Sequence, residues 1–313
     1  MSEREIVCED LNLAIDELRT QGFRLDLIYP ADDPRSAVLS KTTETVRVST
    51  PGAPPPPDGL SPFEPEFVLT RAGAAARRGR AGMLYRDLIP SRLGGRYIAS
   101  HIAIPEGGPV ADWVHFHRIA LQIIYVRCGW VRLVYEDQGD PFVMQAGDLV
   151  LQPPLIRHKV LESSPGLEVI EISAPALHET FADHDLRLPN GLALSTCFSG
   201  QRFLHHIAAK TPWTPLARAS AQETAMGEAS AGLADVRVIR RAAGSELSFD
   251  RYDGELVFGF VLDGRATLDH RGGGEIGPAD AFVIPPHEPW RLTELSKNFR
   301  LLHVTSARLD AGA

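Results

Sequence analysis

Short runs in which hydrophobic and polar residues alternate recur along most of the chain and predict β-strands. One set lies between residues 83 and 175 and a second between 233 and 313, and turn-forming residues separate the runs in both sets. Many short strands at this spacing are typical of an all-β barrel or sandwich. The pattern therefore predicts two β-domains in tandem.

A helical periodicity occurs near the start of the chain. Leucine or isoleucine at positions 11, 15 and 18 forms one apolar face, Asp10 is a candidate N-cap, and Gly22 suits the C-terminal end. These signals predict a helix within residues 8–23, and the alternating segment Phe23–Tyr29 predicts a strand after it.

A proline-rich run from Pro51 to Pro57, and on to Pro62, predicts a loop, because proline lacks the backbone donor that regular structure needs. We therefore divide the chain into an N-terminal extension, a first barrel, a linker segment with connecting strands, and a second barrel. The predicted boundaries are 1–82, 83–175, 176–232 and 233–313.

Histidines in the first predicted barrel have a spacing that suits a metal site. Successive side chains of a strand point to opposite faces, so His115 and His117 would project together into the barrel interior. Gln122 would face the same interior from a neighbouring strand, and His158 would close the site from the opposite side. Three imidazoles in this arrangement can hold one divalent metal ion.

The same residues resemble the two motifs of the cupin superfamily, small β-barrels that bind metal between two hairpins. Three histidines and two outer glycines match the family pattern: His115, His117, His158, Gly129 and Gly147. The chain has Gln122, Leu155 and Glu162 where the family has an acid, a glycine and an asparagine. The resemblance implies an all-β fold of two tandem cupin barrels and a metal site, and it also implies a homodimer or a higher homo-oligomer.

Comparison of the two halves predicts a divergent internal repeat. Aligning Gly264 with Gly129 places Asp250, Tyr252 and Val257 at the positions of His115, His117 and Gln122, and Trp290 falls opposite His158. Because every candidate ligand is replaced, we expect the second barrel to lack a metal centre. His287 is a weaker candidate ligand in that half.

The amino-acid composition limits the kinds of molecule that the protein is expected to bind. The chain has 313 residues and a net charge of −8, which argues against binding to nucleic acid or to an anionic membrane surface. Its three cysteines show neither a disulfide framework nor a zinc-ribbon spacing, and no signal peptide or membrane span is apparent. We expect a cytoplasmic protein that acts on a small molecule.

Three neutral imidazoles leave a divalent ion its full charge, so it would be a stronger Lewis acid than one held by two histidines and a carboxylate. Fe(II) is the expected metal by resemblance, although Mn, Ni, Cu and Zn also accept imidazole. Gln122 could bind the metal through its carbonyl oxygen or hold a substrate group beside it; we favour the second role, because an amide is the poorer ligand.

The resemblance to bicupin gentisate and quercetin dioxygenases suggests an Fe(II) dioxygenase that uses dioxygen on an aromatic or enolic acid. The candidate catalytic residues are Gln122, Arg157, whose guanidinium could pair with a substrate carboxylate, and Tyr135, which could line the pocket. Two alternatives stay open. One is a metal-dependent lyase or isomerase on the same scaffold, and the other is a bicupin that binds a small ligand without turnover.

Overall fold

The structure is a computed structural model that describes residues 2–56, 59–79, 83–216, 218–242 and 246–309. Pro57, within the predicted proline-rich loop, lies outside these residues. The residues that are described form mainly β-strands, as the alternating pattern predicted.

The N-terminal segment forms a small sheet with one helix packed on it. Its elements are β1 (Ser2–Val7), α1 (Leu11–Thr20), β2 (Arg24–Tyr29), β3 (Ser36–Lys41) and β4 (Glu44–Ser49). The helix lies within the predicted range, and Oδ1 of Asp10 accepts from the amides of Asn12 and Leu13 at 2.9 and 3.1 Å. Its predicted apolar face is buried against the sheet, so this part of the prediction is confirmed.

The first barrel is built from two sheets. Two short strands, β5 (Val68–Thr70) and β6 (Arg77–Arg78), come before it in the chain. The strands of the barrel itself are β7 (Leu84–Asp87), β8 (Ile98–Ile104), β9 (Gly108–Pro109), β10 (His115–His117), β11 (Leu121–Cys128), β12 (Trp130–Tyr135), β13 (Phe142–Gln145), β14 (Leu149–Leu151), β15 (His158–Ser163) and β16 (Leu167–Ala174). One sheet contains β10, β15, β12 and β13, and the other has the order β14-β11-β16-β8-β7-β6.

The connecting segment contributes strands to both barrels. Its elements are β17 (Thr180–Ala182), β18 (Cys197–Phe198), β19 (Gln201–Arg202), β20 (Leu204–His206), a 3-10 turn (Ala208–Lys210), β21 (Thr214–Leu216), β22 (Ala219–Glu223) and α2 (Met226–Ala229). β17 pairs with β10 on one side and with β2 on the other. The N-terminal sheet is therefore continuous with the sheet that carries His115 and His117.

The second barrel repeats the arrangement. Its strands are β23 (Ala234–Arg241), β24 (Leu247–Phe249), β25 (Leu256–Asp263), β26 (Ala266–Asp269), β27 (Gly274–Ile276), β28 (Ala281–Ile284), β29 (Trp290–Thr293) and β30 (Arg300–Ser306). One sheet has the order β21-β22-β23-β30-β25-β28-β5, and the other has the order β24-β29-β26-β27. A strand from the N-terminal extension, β5, thus forms the edge of the second barrel.

The two barrels pack through a shared apolar core. Outward-facing residues of β11, such as Ile123 and Tyr125, belong to the same buried cluster as Phe258 and Phe260 of β25. A buried ion pair of 3.1 Å between Arg96 and Glu255 also joins the barrels. Burial of this apolar surface favours a fixed relative position of the barrels.

Equivalent turns support the predicted internal repeat. Gly129 and Gly264 both have positive φ, of 77° and 73°. The amide after each glycine donates to a serine hydroxyl, at 3.0 Å to Ser164 and at 2.9 Å to Ser296. The turn before β14 and the turn before β28 also match, because Asp148 and Asp280 accept from backbone amides in the same way.

The strand register corrects one detail of the predicted repeat. His115 is paired with His158 in the first barrel, and Phe249 is paired with Trp290 in the second. Trp290 thus stands opposite His158 as predicted, but the counterpart of His115 is Phe249 instead of Asp250. The segment from Phe249 to Gly264 is one residue longer than the segment from His115 to Gly129. An alignment without gaps cannot show where that extra residue lies.

Gly129 gives a test of the turn geometry. A Cβ at Gly129 would meet backbone and side-chain atoms of Leu167 and Ser164, whereas a Cβ at Gly166 (φ 67°) would meet nothing within 4 Å. Gly129→Ala should therefore lower the free energy of unfolding by about 2–4 kcal/mol and Gly166→Ala by about 1 kcal/mol. Urea unfolding followed by circular dichroism measures both, and equal losses would contradict the close approach.

Candidate metal centre

Three buried histidines meet inside the first barrel. His115 and His117 lie two residues apart on β10, so their side chains share its inner face, and the register of β10 with β15 sets His158 directly opposite His115. The three side chains are between 5% and 8% exposed. The local sequence thus places three imidazoles in one enclosed space, as the spacing predicted.

The distances suit a single ion. The ligand atoms of His115, His117 and His158 lie within 4.8 Å of one another, and no other cluster of three potential histidine, cysteine or carboxylate ligands is found among the described residues. The ring centroids are 4.1 to 5.3 Å apart. Rings at this spacing can direct one nitrogen each towards a common point.

Hydrogen bonds at the other ring nitrogens orient the histidines. Nδ1 of His115 bonds to the carbonyl oxygen of Trp113 at 2.8 Å, and Nδ1 of His158 bonds to that of Ile156 at 3.2 Å. A carbonyl acceptor fixes the hydrogen on Nδ1, which leaves Nε2 as the lone-pair nitrogen that a metal requires. The residues present therefore fit a bound divalent metal ion.

The side chains of Thr180 and Asp112 also hold the histidine rings in this orientation. Nδ1 of His117 lies 3.0 Å from Oγ1 of Thr180 on β17. A carboxylate oxygen of Asp112 lies 3.5 Å from Nδ1 of His115, and its other oxygen accepts from the amide of Val160. Carboxylates beside metal-bound histidines raise the basicity of the ligand.

Gln122 lies at the end of a buried hydrogen-bond chain. The Tyr135 hydroxyl donates to Oε1 of Gln152 at 2.8 Å, and Nε2 of Gln152 donates to Oε1 of Gln122 at 2.6 Å. The carbonyl oxygen of Gln122, its only candidate metal-binding atom, is thus already an acceptor. This arrangement favours a role for the Gln122 amide nitrogen as a donor to substrate.

The histidines line a cavity of about 190 Å³. That volume lies below the roughly 300–1,000 Å³ common for ligand pockets, which favours a small substrate. The other lining side chains are mainly aliphatic and include Ile98, Ile102, Ile104, Ile124, Val131, Leu133, Val160, Leu167 and Val169. An apolar wall around three imidazoles keeps bulk water away from the site.

Of the two other candidate catalytic residues, Tyr135 lines this cavity and Arg157 does not. Burial, followed by the nearby Glu171 carboxylate, raises the pKa of Tyr135, so its hydroxyl stays protonated. Arg157 forms an ion pair of 3.0 Å with Asp183 and lies 4.4 Å above the Phe116 ring. The structure therefore does not bring Arg157 to the histidines.

The sequence did not identify two polar residues of the cavity, His178 and Glu171. His178 is 3% exposed, contacts the His117 ring, and has a pKa lowered by burial. Glu171 also lines the cavity, whereas Glu168 on the same strand bonds to His101 and Arg127. The position of Glu171 could have been predicted from the alternation of β16, because Leu167 and Val169 lie on the same inward face of the strand as Glu171.

Comparisons with known proteins identify the fold. No protein-family model matches the sequence, and no curated protein matches it. The crystal structure of the putative glyoxylate-induced protein from Pseudomonas aeruginosa matches with a TM-score of 0.56 and 15% identity, over 80% of this chain and 92% of the other. Oxalate decarboxylase from Bacillus subtilis at pH 4.6 matches with a TM-score of 0.57 and 10% identity, over 82% and 80%.

A deletion mutant of the same decarboxylase gives a similar result, with a TM-score of 0.57 and 9% identity over 81% of this chain and 80% of the mutant. The chain therefore has the all-β cupin fold in two tandem copies, and that prediction is confirmed. In the part of the chain that the structure describes, no helix is long and apolar enough to cross a membrane.

The metal site can be tested with two histidine variants. Purified protein should contain about one metal ion per chain, and His158→Ala should lose it, because two imidazoles bind a divalent ion far more weakly than three. His287→Ala is the matched control, since the His287 side chain is 69% exposed and bonds to the carboxylate of Asp253, away from the first barrel's histidines. Elemental analysis measures both. Metal retained in His158→Ala would place the ion elsewhere.

Proposed function

We propose that this protein is a metal-dependent enzyme, an Fe(II) dioxygenase that acts on a small aromatic or enolic acid in its first barrel. The observation that carries the proposal is the convergence of His115, His117 and His158 on one point of a small apolar cavity. Three protein ligands leave coordination positions for a substrate, which is the arrangement of catalytic metal sites.

The bound ion would supply a Lewis acid that accepts two substrate oxygens and, as Fe(II), would also supply reactivity towards dioxygen. The described residues that line the cavity include no lysine or arginine. An anionic substrate is therefore expected to depend on the metal for its countercharge. This expectation favours substrates that bind through two adjacent oxygens over acids whose carboxylate is remote from the reacting atoms.

The protein side chains orient the substrate and exclude water. The Gln122 amide donates a hydrogen bond to a substrate oxygen, and Gln152 and Tyr135 hold that amide in place through the buried chain of hydrogen bonds. The aliphatic wall accommodates the carbon skeleton. Because the pKa of Tyr135 is raised, its hydroxyl acts as a fixed donor and not as a base.

Oxygen dependence tests the proposed reaction. An oxygen electrode should record dioxygen consumption with one or more small phenolic or enolic acids when the protein is loaded with Fe(II). His158→Ala should abolish it, whereas His287→Ala should leave it unchanged. Substrate loss that proceeds equally well without dioxygen would reject the dioxygenase, and tight binding with no turnover would point to a ligand-binding protein.

A second candidate function, a metal-dependent lyase or isomerase, is favoured by one observation. Glu171 lies in the cavity wall, where a carboxyl group can move a proton to or from a metal-bound substrate. One solved structure with the same fold is an oxalate decarboxylase. In this reaction Glu171 has a direct chemical role that the dioxygenase does not require.

Glu171→Gln separates the two functions. The substitution keeps the shape of the side chain but removes its ability to accept a proton. A lyase or isomerase should lose about 100-fold or more in kcat under anaerobic conditions. A dioxygenase should change by less than about 10-fold, with the difference mainly in KM. Glu168→Gln, on the same strand but outside the cavity lining, is the matched control.

A further inference from the structure

A further cavity lies in the second barrel. It has a volume of about 700 Å³, compared with about 190 Å³ in the first barrel, and ligand pockets are commonly 300–1,000 Å³. One wall is the sheet of β23, β30 and β25, in which Arg237, His303 and Gly259 lie side by side. The first two of these residues line the cavity.

Equivalent strand positions hold different types of residue in the two barrels. By strand register, Arg237 and His303 correspond to Ser100 and Glu171 of the first barrel. The paired ligands His115 and His158 correspond to Phe249 and Trp290, whose rings are stacked at 3.8 Å with an angle of 1°. The second barrel thus has an aromatic surface where the first has its metal ligands.

His303 is a buried polar group that faces this cavity. The residue is 5% exposed, and its ring contacts Phe249 and Trp290 at centroid distances of 5.4 and 5.8 Å. Within the described residues, its ring nitrogens have no hydrogen-bond partner. Burial lowers the pKa of His303 to about 3, so the ring is neutral and offers one donor and one acceptor. Because His303 lines the cavity, this donor and acceptor are available to a ligand there.

Arg237 supplies a positive charge to the lining of this cavity. It is half-buried, and within the described residues it forms no ion pair. Four other charged residues of the lining, Arg218, Arg251, Asp235 and Asp250, are exposed at the rim, and Glu246 lies 3.6 Å from Arg291. Among the charged residues of the described lining, Arg237 and Glu246 are thus the half-buried ones, and Arg237 lies beside the neutral imidazole of His303.

We propose that the second barrel is a separate binding site for a planar carboxylic acid. The guanidinium of Arg237 binds the carboxylate through two parallel hydrogen bonds, His303 bonds to an adjacent polar atom, and the planar part of the ligand packs on Phe249. Arginine suits this role because its planar fork matches a carboxylate. The proposal does not depend on the metal centre or on the proposed reaction.

The test uses the full chain with His158→Ala, which removes the proposed metal site and so prevents binding of an acid to metal. Benzoate should bind with a measurable heat in titration calorimetry. Benzamide, which lacks the charge, and cyclohexanecarboxylate, which lacks the planar ring, should each bind at least about 10-fold more weakly. No saturable binding at millimolar benzoate, or equal binding of all three compounds, would overturn the proposal.

Variants of two arginines on β23 locate the site. Arg237→Gln should weaken benzoate binding by about 10-fold or more and leave benzamide unaffected. Arg240→Gln is the matched control, because Arg240 packs on Trp213 and does not line the cavity, and it should not change the affinity. If Arg237→Gln does not fold, Arg237→Lys, which keeps the charge without the fork, should still weaken binding. Wild-type affinity in the folded Arg237 variants would overturn the proposal.

Discussion

The antiparallel pairing of β10 with β15 is the constraint on which the first barrel's site depends. It sets His115 opposite His158, while the alternation of β10 brings His117 to the same inner face. A shift of one residue in this register would turn the ligands of one strand out of the barrel. The turns between the strands of these sheets, including the turn at Gly129, where the amide of Trp130 donates to Ser164, therefore matter to the chemistry although they lie outside the cavity.

The second barrel shows what the same constraint permits where the paired positions carry no histidine. Its equivalent strand pair brings Phe249 against Trp290, and the aromatic stack fills space that imidazoles would occupy. The shared core between the barrels is built from the outward faces of the strands, so it places no demand on the inward faces. The interiors of the two barrels could therefore diverge while the packing between them stayed the same.

Sequence alone predicted the two barrels, the helix and the clustering of three histidines, because all of these follow from local periodicity or from spacing within a short segment. It could not determine which way Arg157 points, since that depends on Asp183, a residue from the connecting segment. The burial of His178 and the bond from Gln152 to Gln122 likewise depend on contacts between segments distant in sequence. The offset between Asp250 and Phe249 arose because one inserted residue in a turn is invisible to an ungapped alignment.

The continuous sheet that joins the N-terminal unit to the first barrel also covers the outer edge of β17. β17 bonds to the histidine-bearing strand β10 on one side and to β2 on the other. Without β2, Phe181 and its neighbours would present an open row of backbone donors and acceptors, which is a template for intermolecular strand pairing. The N-terminal unit thus covers the edge of the strand that also supplies Thr180 to His117, so removal of β2 would expose a pairing edge directly beside the candidate metal site.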